Sequence, residues 1–174
     1  MRNYIKHLIS IKVVISMIFV SGMGLSVQGQ EIEKVFQVRC NEQPVYIAKE
    51  KEGFNIINDT WESIIDVRYD TISLLDDFLL SAISDGKQVL LTCQGTPVSP
   101  QDMESVYMYA DDELRGLYFI RNTRDKYGVI DYNGKTIIPF EFERIEHLSI
   151  HKYLFAIKNN EKYYFDYMGN VLFK

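Results

Sequence analysis

Two histidines and two cysteines are the residues after position 29 whose types are most often used for catalysis or metal binding. His147 and His151 are four residues apart, so both imidazoles would share one face of a helix and could contribute to a metal site. The surrounding sequence lacks helical periodicity, so we interpret both as loop residues. Neither is marked as the base of a Ser-His-Asp site, and Cys93 has no evident partner base that would activate it as a nucleophile. We therefore expect no catalytic site, no metal and no cofactor, in a protein that is not an enzyme.

Acidic residues form the second chemical pattern. Asp70, Glu104 and Glu143 occupy equivalent positions in a sequence repeat, and Asp76-Asp77 corresponds to Asp111-Asp112 in two of its loops. Stacked carboxylates could bind a hard cation such as calcium, whereas solvated acids would keep a repeat array soluble and monomeric. Calcium loops supply several oxygen ligands at a fixed short spacing, so we favour the solvated rim. The adjacent basic residues that would partly neutralise it are Arg68 and Arg144.

Residues 1–29 have the composition of a signal peptide. A basic start is followed by an apolar run at 13–20, and Val27 and Gly29 fit the small positions of a cleavage site, which places the mature start near Gln30. An uncleaved membrane anchor is the alternative, but the apolar run is shorter than the ~20 residues that a spanning helix needs. We expect cleavage and no stable membrane insertion afterwards.

The charge of the mature chain restricts its partners. The full chain has 19 basic and 24 acidic residues, and the leader removes three basic residues and no acidic one, which leaves a net charge of −8. This balance opposes binding to nucleic acid or to an anionic membrane surface. We expect a soluble protein that is secreted or periplasmic.

Residues 30–174 are predicted to form a single domain of about four repeats. The matching turn residues are Trp61, Gly95, Gly134 and Gly169, at intervals of 34, 39 and 35 residues. An apolar-acid-x-aliphatic signature begins eight residues after the first three turn residues, at Tyr69, Met103 and Phe142. The two patterns agree in register, which indicates a repeat protein.

Each unit is predicted to be an antiparallel β-meander. In the third unit, two apolar runs flank Asn133-Gly134, a dipeptide that favours a type I′ hairpin turn. The middle strand of every unit carries two adjacent apolar residues, which face opposite sides of a sheet. These pairs are Ile56/Ile57, Leu90/Leu91, Val129/Ile130 and Tyr164/Phe165. We therefore predict an all-β array of about four stacked antiparallel meanders, either propeller-like or solenoid-like.

The third unit, residues 126–145 (KYGVIDYNGKTIIPFEFERI), resembles the WG-containing repeat family. Tyr127-Gly128 stands where that family has Trp-Gly, and Pro139 and Phe142-Glu143 match its later elements. The resemblance extends over about residues 45–174, although the other units lack the aromatic-Gly pair. It implies β-rich repeats and no defined activity, and the repeat motif has no catalytic residues to transfer.

Three residues, the two cysteines and the single tryptophan, also have candidate structural and functional roles. Cys40 and Cys93 match no metal motif, and the meander places them at the same edge of adjacent units, where a disulfide could form in an oxidising compartment. Trp61 replaces the turn glycine of the other units, either as a cap on the first unit or as an exposed binding aromatic. We favour the cap, because terminal repeats must cover an otherwise open core.

The sequence favours a non-enzymatic binding module for a protein, peptide or glycan. A structural or assembly component of the cell envelope is the alternative, and a small hydrolase is less favoured. An uncapped apolar end would indicate the assembly role, and a deep polar pocket the enzyme. We expect the binding surface on the loops of units two and three, unless these residues only solvate the rim. The candidates are Tyr107, Tyr109, Asp111, Asp112, Arg115, His147 and His151.

Overall fold

The protein is all-β in the computed structural model, which describes residues 16–18, 26–27, 30–109, 112–148 and 152–174. Within these residues there is one 3₁₀ turn, Asp112–Leu114, and no α-helix. The predicted all-β repeat fold is confirmed. The described residues contain no helix with the length and apolar character needed to cross a membrane.

The strands form four antiparallel sheets. Sheet I contains β3 (Gln30–Cys40), β4 (Gln43–Glu50) and β5 (Gly53–Ile57), and two short strands, β1 (Ser16–Ile18) and β2 (Ser26–Val27), pair with β3. Sheet II contains β6 (Thr71–Leu74), β7 (Leu79–Ser84) and β8 (Lys87–Thr92). Sheet III contains β9 (Met103–Tyr107), β10 (Leu117–Asn122), β11 (Tyr127–Asp131) and β12 (Thr136–Phe142). Sheet IV contains β13 (Arg144–Leu148), β14 (Tyr153–Lys158), β15 (Glu161–Phe165) and β16 (Val171–Phe173).

The repeated apolar-acid signature marks the start of each new sheet. Tyr69 and Asp70 directly precede β6, Met103 begins β9, and Glu143 separates β12 from β13. The segment that carries this signature therefore leads into or forms the edge strand of the following sheet.

The hairpin turn at Asp131–Lys135 differs from the type I′ turn predicted for it. Gly134 has a φ of +81°, but Asn133 does not have the positive φ that a type I′ turn requires, so that prediction is wrong. The carboxylate of Asp131 accepts hydrogen bonds from the amides of Asn133 and Lys135, each at 2.9 Å. This side-chain acceptor stabilises a type I turn that ends in a left-handed residue.

The same turn closes the third strand of all four sheets. The backbone carbonyl oxygen of the residue that begins the turn accepts a hydrogen bond from the backbone amide three positions later, where the residue has a left-handed conformation. The four pairs are Asn58 and Trp61, Thr92 and Gly95, Asp131 and Gly134, and Asp166 and Gly169. The repeat thus includes a polar side chain three residues before each turn residue.

The turn glycines also let consecutive sheets approach closely. A Cβ atom on Gly169 would lie 2.1 Å from the carbonyl oxygen of Ile137, which follows the corresponding turn of sheet III. A Cβ atom on Gly134 would lie 2.9 Å from the Cβ of Val98, in the same position relative to sheet II. Each glycine therefore rests on the hairpin of the preceding sheet, where a side chain would force the two apart.

Trp61 occupies this turn position in sheet I, which is the first sheet of the stack. It packs on the outward face of sheet I, against the cluster of Val35, Ala48 and Ile57. Of the two interpretations of Trp61, a cap or an exposed binding aromatic, the packing supports the cap.

The core consists of apolar clusters between consecutive sheets. Val129 on β11 packs toward sheet IV and Ile130 packs toward sheet II, and at most 1% of either residue is exposed. In sheet IV, Phe165 is buried against sheet III, whereas Tyr164 on the opposite face is only half-buried. The two-faced apolar strands are thus buried wherever a sheet has neighbours on both sides.

A disulfide bond joins Cys40, at the end of β3, to Cys93, just after β8. Both residues are buried in the cluster between sheets I and II. The bond therefore crosses the interface between the first two sheets.

Candidate binding surface

One end of the stack carries most of the residues singled out from the sequence. We call it the loop end, and we define it by the turns at residues 41–42, 75–78 and 112–116, which join the first two strands of sheets I, II and III. Antiparallel pairing places the third-to-fourth strand hairpins at the same end. The predicted residues Tyr107, Tyr109, Asp112, Arg115 and His147 lie at the ends of strands or in turns on this side. Asp111 and His151 lie outside the described residues.

The predicted tyrosines and His147 form an aromatic cluster between sheets III and IV. The ring of Tyr109 meets the ring of His147 edge-on, with centroids 5.6 Å apart. His147 Nε2 lies 2.8 Å from the hydroxyl oxygen of Tyr167. Tyr107 stacks on the buried ring of Phe119 at 5.6 Å. The three tyrosines and Phe119 belong to the apolar cluster that joins the two sheets, and His147 contacts its rim, so the first role of these tyrosines is in packing.

Burial also raises the pKa values of two tyrosines in this cluster. Loss of hydration raises the pKa of Tyr107 above its ordinary value of 10.0, and the nearby Tyr109, Tyr127 and Glu146 raise it further. Burial raises the pKa of Tyr109 as well, partly offset by a hydrogen bond with the backbone of His147. The phenols remain neutral hydrogen-bonding groups at ordinary pH.

Arg115 belongs to a separate and more exposed cluster between sheets II and III. Its guanidinium lies over the ring of Phe78, 5.3 Å from the centroid, and Phe78 stacks on Tyr132 at 5.3 Å. Arg115 also forms an ion pair with Asp77. We call Arg115, Phe78, Tyr132 and Asp77 the Arg-aromatic stack.

A partly buried hydrogen bond anchors the loop that carries part of this stack. Asp76 accepts hydrogen bonds from the amides of Phe78 and Leu79 with one oxygen and from the hydroxyl of Tyr118 with the other, at 2.7 Å. Tyr118 is fully buried. The loop that carries Phe78 is therefore anchored to sheet III.

Single polar contacts connect the loop-end turns of neighbouring sheets. The amide of Asn41 in sheet I donates to the carbonyl oxygen of Asp77 in sheet II. Lys152 of sheet IV forms an ion pair with Glu113 of sheet III at 2.5 Å. Together with the Arg115–Asp77 pair, these contacts hold the loops in one arrangement.

Two acids of the repeated signature, Glu104 and Glu143, lie at the opposite end and form ion pairs with basic residues. Glu104 pairs with Arg121 at 3.2 Å and Glu143 with Lys126 at 3.7 Å. In the part of the chain that the structure describes, no three His, Cys, Asp or Glu residues are grouped so that they could hold a metal ion. Arg144, expected to neutralise this row, forms an ion pair with Glu146.

The candidate set from the sequence missed Phe78 and Tyr132. Tyr132 had a detectable signal, because it lies inside the hairpin turn between Asp131 and Gly134, and turn residues lie on the surface. Phe78 had no such signal, because it directly precedes the apolar residues Leu79 and Leu80 of β7 and continues their apolar run in the sequence.

Comparison with known families decides the nature of the repeat. Residues 127–163 match the WG containing repeat family. This part of the chain is a WG repeat. No curated protein matches the chain.

The WG repeat runs from β11 of sheet III into β15 of sheet IV. The sequence repeat is therefore offset from the sheets, since it begins at the third strand of one sheet and ends at the third strand of the next. At Gly128, the glycine of the aromatic-Gly pair, a Cβ atom would lie 2.7 Å from ring atoms of Phe140. The glycine makes room for the side chain of Phe140 from the neighbouring strand.

Proposed function

We propose that this chain is a non-enzymatic binding module that holds a protein or peptide partner at the loop end, through the Arg-aromatic stack. The observation that carries the proposal is the stacking of Arg115 on Phe78 and of Phe78 on Tyr132, with Tyr132 44% exposed. Tyrosine and arginine are enriched among the residues that dominate binding energy at protein interfaces.

The stack has the rigidity that a recognition surface needs. Binding costs about 0.5–1.5 kcal/mol for each mobile side chain that must be ordered. Here the ion pair with Asp77 and the ring contact already restrain Arg115, and Asp76 anchors the loop that carries Phe78. The stack can therefore bind with little further loss of side-chain entropy.

The chemistry of the stack suggests the partner. Because Arg115 and Asp77 neutralise each other, the surface offers planar apolar faces bordered by one donor group and one acceptor group. This composition suits a protein segment with an exposed aliphatic or aromatic side chain beside a polar one.

A pull-down from an extract of the native envelope tests the proposal with matched arginine variants. Arg115→Ala removes an arginine whose side chain is 58% exposed and paired with Asp77, and Arg124→Ala removes one that is 77% exposed and paired with Asp102. We expect Tyr132→Ala and Arg115→Ala to lose the captured partner and Arg124→Ala to retain it. Equal capture by all three folded variants would exclude the stack, and capture that soluble glycans abolish would indicate a glycan ligand instead.

We also propose that the chain acts outside the cytoplasm. The basic start, the short apolar run and the small residues Val27 and Gly29 support cleavage near Gln30. Intact-mass measurement of the protein from its native host tests this directly, since retention of Met1 would contradict it.

A further inference from the structure

The last sheet of the stack presents a row of aromatic side chains on its outward face. On β14, Leu154 and Ala156 face sheet III and are fully buried, so Phe155 between them faces outward. Phe155 is paired with Tyr164 of β15, and Tyr164 with Phe173 of β16. Tyr164 and Phe173 stack with ring centroids 4.2 Å apart.

The corresponding row of side chains in sheet III is buried, because another sheet packs on it. There Phe119 of β10 is paired with Val129 of β11, and Val129 with Ile138 of β12. All three are 0% exposed, because sheet IV packs on them. In both sheets the pairing shifts by one residue between the last two strands, so the two rows match residue for residue.

The row of sheet IV has no such cover from the described residues. Phe155 and Tyr164 are half-buried, and Phe173 is 50% exposed. Sheet IV thus carries on its outward face the side chains of a sheet-packing interface, with aromatic rings where sheet III has Val129 and Ile138.

The opposite end of the stack does not offer a matching free face. On the outward face of sheet I, Val35, Ala48 and Ile57 are already buried, and Ile32, Tyr46 and Trp61 pack against them. Head-to-tail stacking of one chain on the next would have to displace this cap.

We propose that the outward face of sheet IV packs against the same face of a second copy of this chain, which forms a two-fold symmetric dimer. A two-fold interface requires a self-complementary surface. The aromatic row provides one, and Arg144 and Glu146 lie beside it on β13 with opposite charges.

The size of the face sets the strength of this dimer. Four strands spaced about 4.8 Å apart and about five residues long at 3.4 Å each give a face of about 19 by 17 Å. This is small beside the roughly 800 Å² per partner of a typical stable complex. A dimer held by this face alone should therefore be weak, and its population should rise with protein concentration.

Sedimentation velocity of the full chain over roughly 1–300 µM, the range that brackets micromolar affinity, tests the proposal. We expect a reversible monomer–dimer equilibrium. Phe173→Glu puts a charge in the row and should weaken dimerisation roughly tenfold or more, as the loss of an interface anchor does. Met168→Glu is the matched control, because Met168 is 79% exposed at the turn of the same hairpin and lies off the row. It should leave the equilibrium unchanged.

Three outcomes would overturn the proposal. The wild type could stay monomeric over the whole range, Phe173→Glu could dimerise as well as Met168→Glu, or the wild type could grow into open-ended oligomers. Circular dichroism confirms the fold of each variant beforehand. If Phe173→Glu does not fold, Phe173→Ser applies a milder form of the same test at the same exposed position.

Discussion

Cys40 and Cys93 are covalently joined across the interface between the first two sheets, with their Cα atoms 5.7 Å apart although 53 residues separate them in sequence. The bond closes a loop that contains β4 to β8. It therefore holds sheets I and II together at the loop end.

Reduction of this disulfide should lower the free energy of unfolding by roughly 2–4 kcal/mol, because the open loop gains conformational entropy in the unfolded state. The measurement is a urea unfolding curve with and without a reductant, and a Cys40→Ala/Cys93→Ala double variant provides the same comparison without one. Reductant should have no effect on the double variant. Identical midpoints for reduced and oxidised wild type would contradict the prediction.

The buried ion pair between Glu50 and Arg68 should contribute much more to stability than an exposed pair of the same length. Glu50 Oε2 lies 2.5 Å from Arg68 Nε, and the Glu50 side chain is fully buried. Arg68→Gln leaves a buried carboxylate without its counter-charge, which should cost about 3 kcal/mol or more. The matched control is Lys49→Gln, because Lys49 pairs with Glu33 at the same 2.5 Å with both side chains 45% exposed.

We expect the control variant to lose less than about 1 kcal/mol. Chemical denaturation of both variants decides the comparison. Equal losses would mean that the position of the pair in the fold does not affect its energy.

Gly169→Ala should destabilise the protein more than Gly86→Ala. Both glycines have positive φ, +85° and +72°, so alanine has a similar backbone cost of about 1–2 kcal/mol at either site. At Gly86 the added Cβ meets no atom within 4 Å, whereas at Gly169 it meets the carbonyl oxygen of Ile137 at 2.1 Å. The extra loss at Gly169 should be about 1–3 kcal/mol, as for other overpacked sites. If thermal unfolding shows equal losses, the glycine is needed for the turn alone.

The stability of the protein should fall above pH 10. Burial raises the pKa of Tyr118 above its ordinary 10.0, and its hydrogen bond with Asp76 raises it further. Below pH 10 both the folded and the unfolded states keep the phenolic proton, so Tyr118 causes no change. Above pH 10 the unfolded state loses this proton and the folded state keeps it, so stability falls with rising pH, by up to about 1.4 kcal/mol per unit for this group.

Urea midpoints between pH 8 and about 11, which span the ordinary tyrosine pKa, test this prediction. Tyr118→Phe should be less stable at pH 8, because Asp76 loses a buried donor, but its stability should decline less steeply above pH 10. The slope separates the ionisation of Tyr118 from its packing. An unchanged slope in Tyr118→Phe would show that the alkaline loss comes from other tyrosines.

Local sequence was sufficient for the repeat and for the β-hairpins of each unit. The turn glycines and the apolar pairs recur because each hairpin has the same short-range needs, namely a left-handed residue and two buried faces. The acceptors Asn58, Thr92, Asp131 and Asp166 act within their own turns, so they too were readable from the sequence. The type I′ prediction failed because it considered Asn133-Gly134 without the carboxylate of Asp131.

Only the tertiary structure decided which aromatic residues reach the surface. Tyr107 and Tyr109 were expected on the binding surface, yet their rings pack between two sheets, while Tyr132 stacks on Phe78 and is 44% exposed. Exposure depends on how the sheets stack, and stacking brings together residues from different units. The same holds for the outward row of sheet IV. Phe155 resembles Phe119 in type and register, and the two differ because sheet IV covers Phe119, whereas no sheet among the described residues covers Phe155.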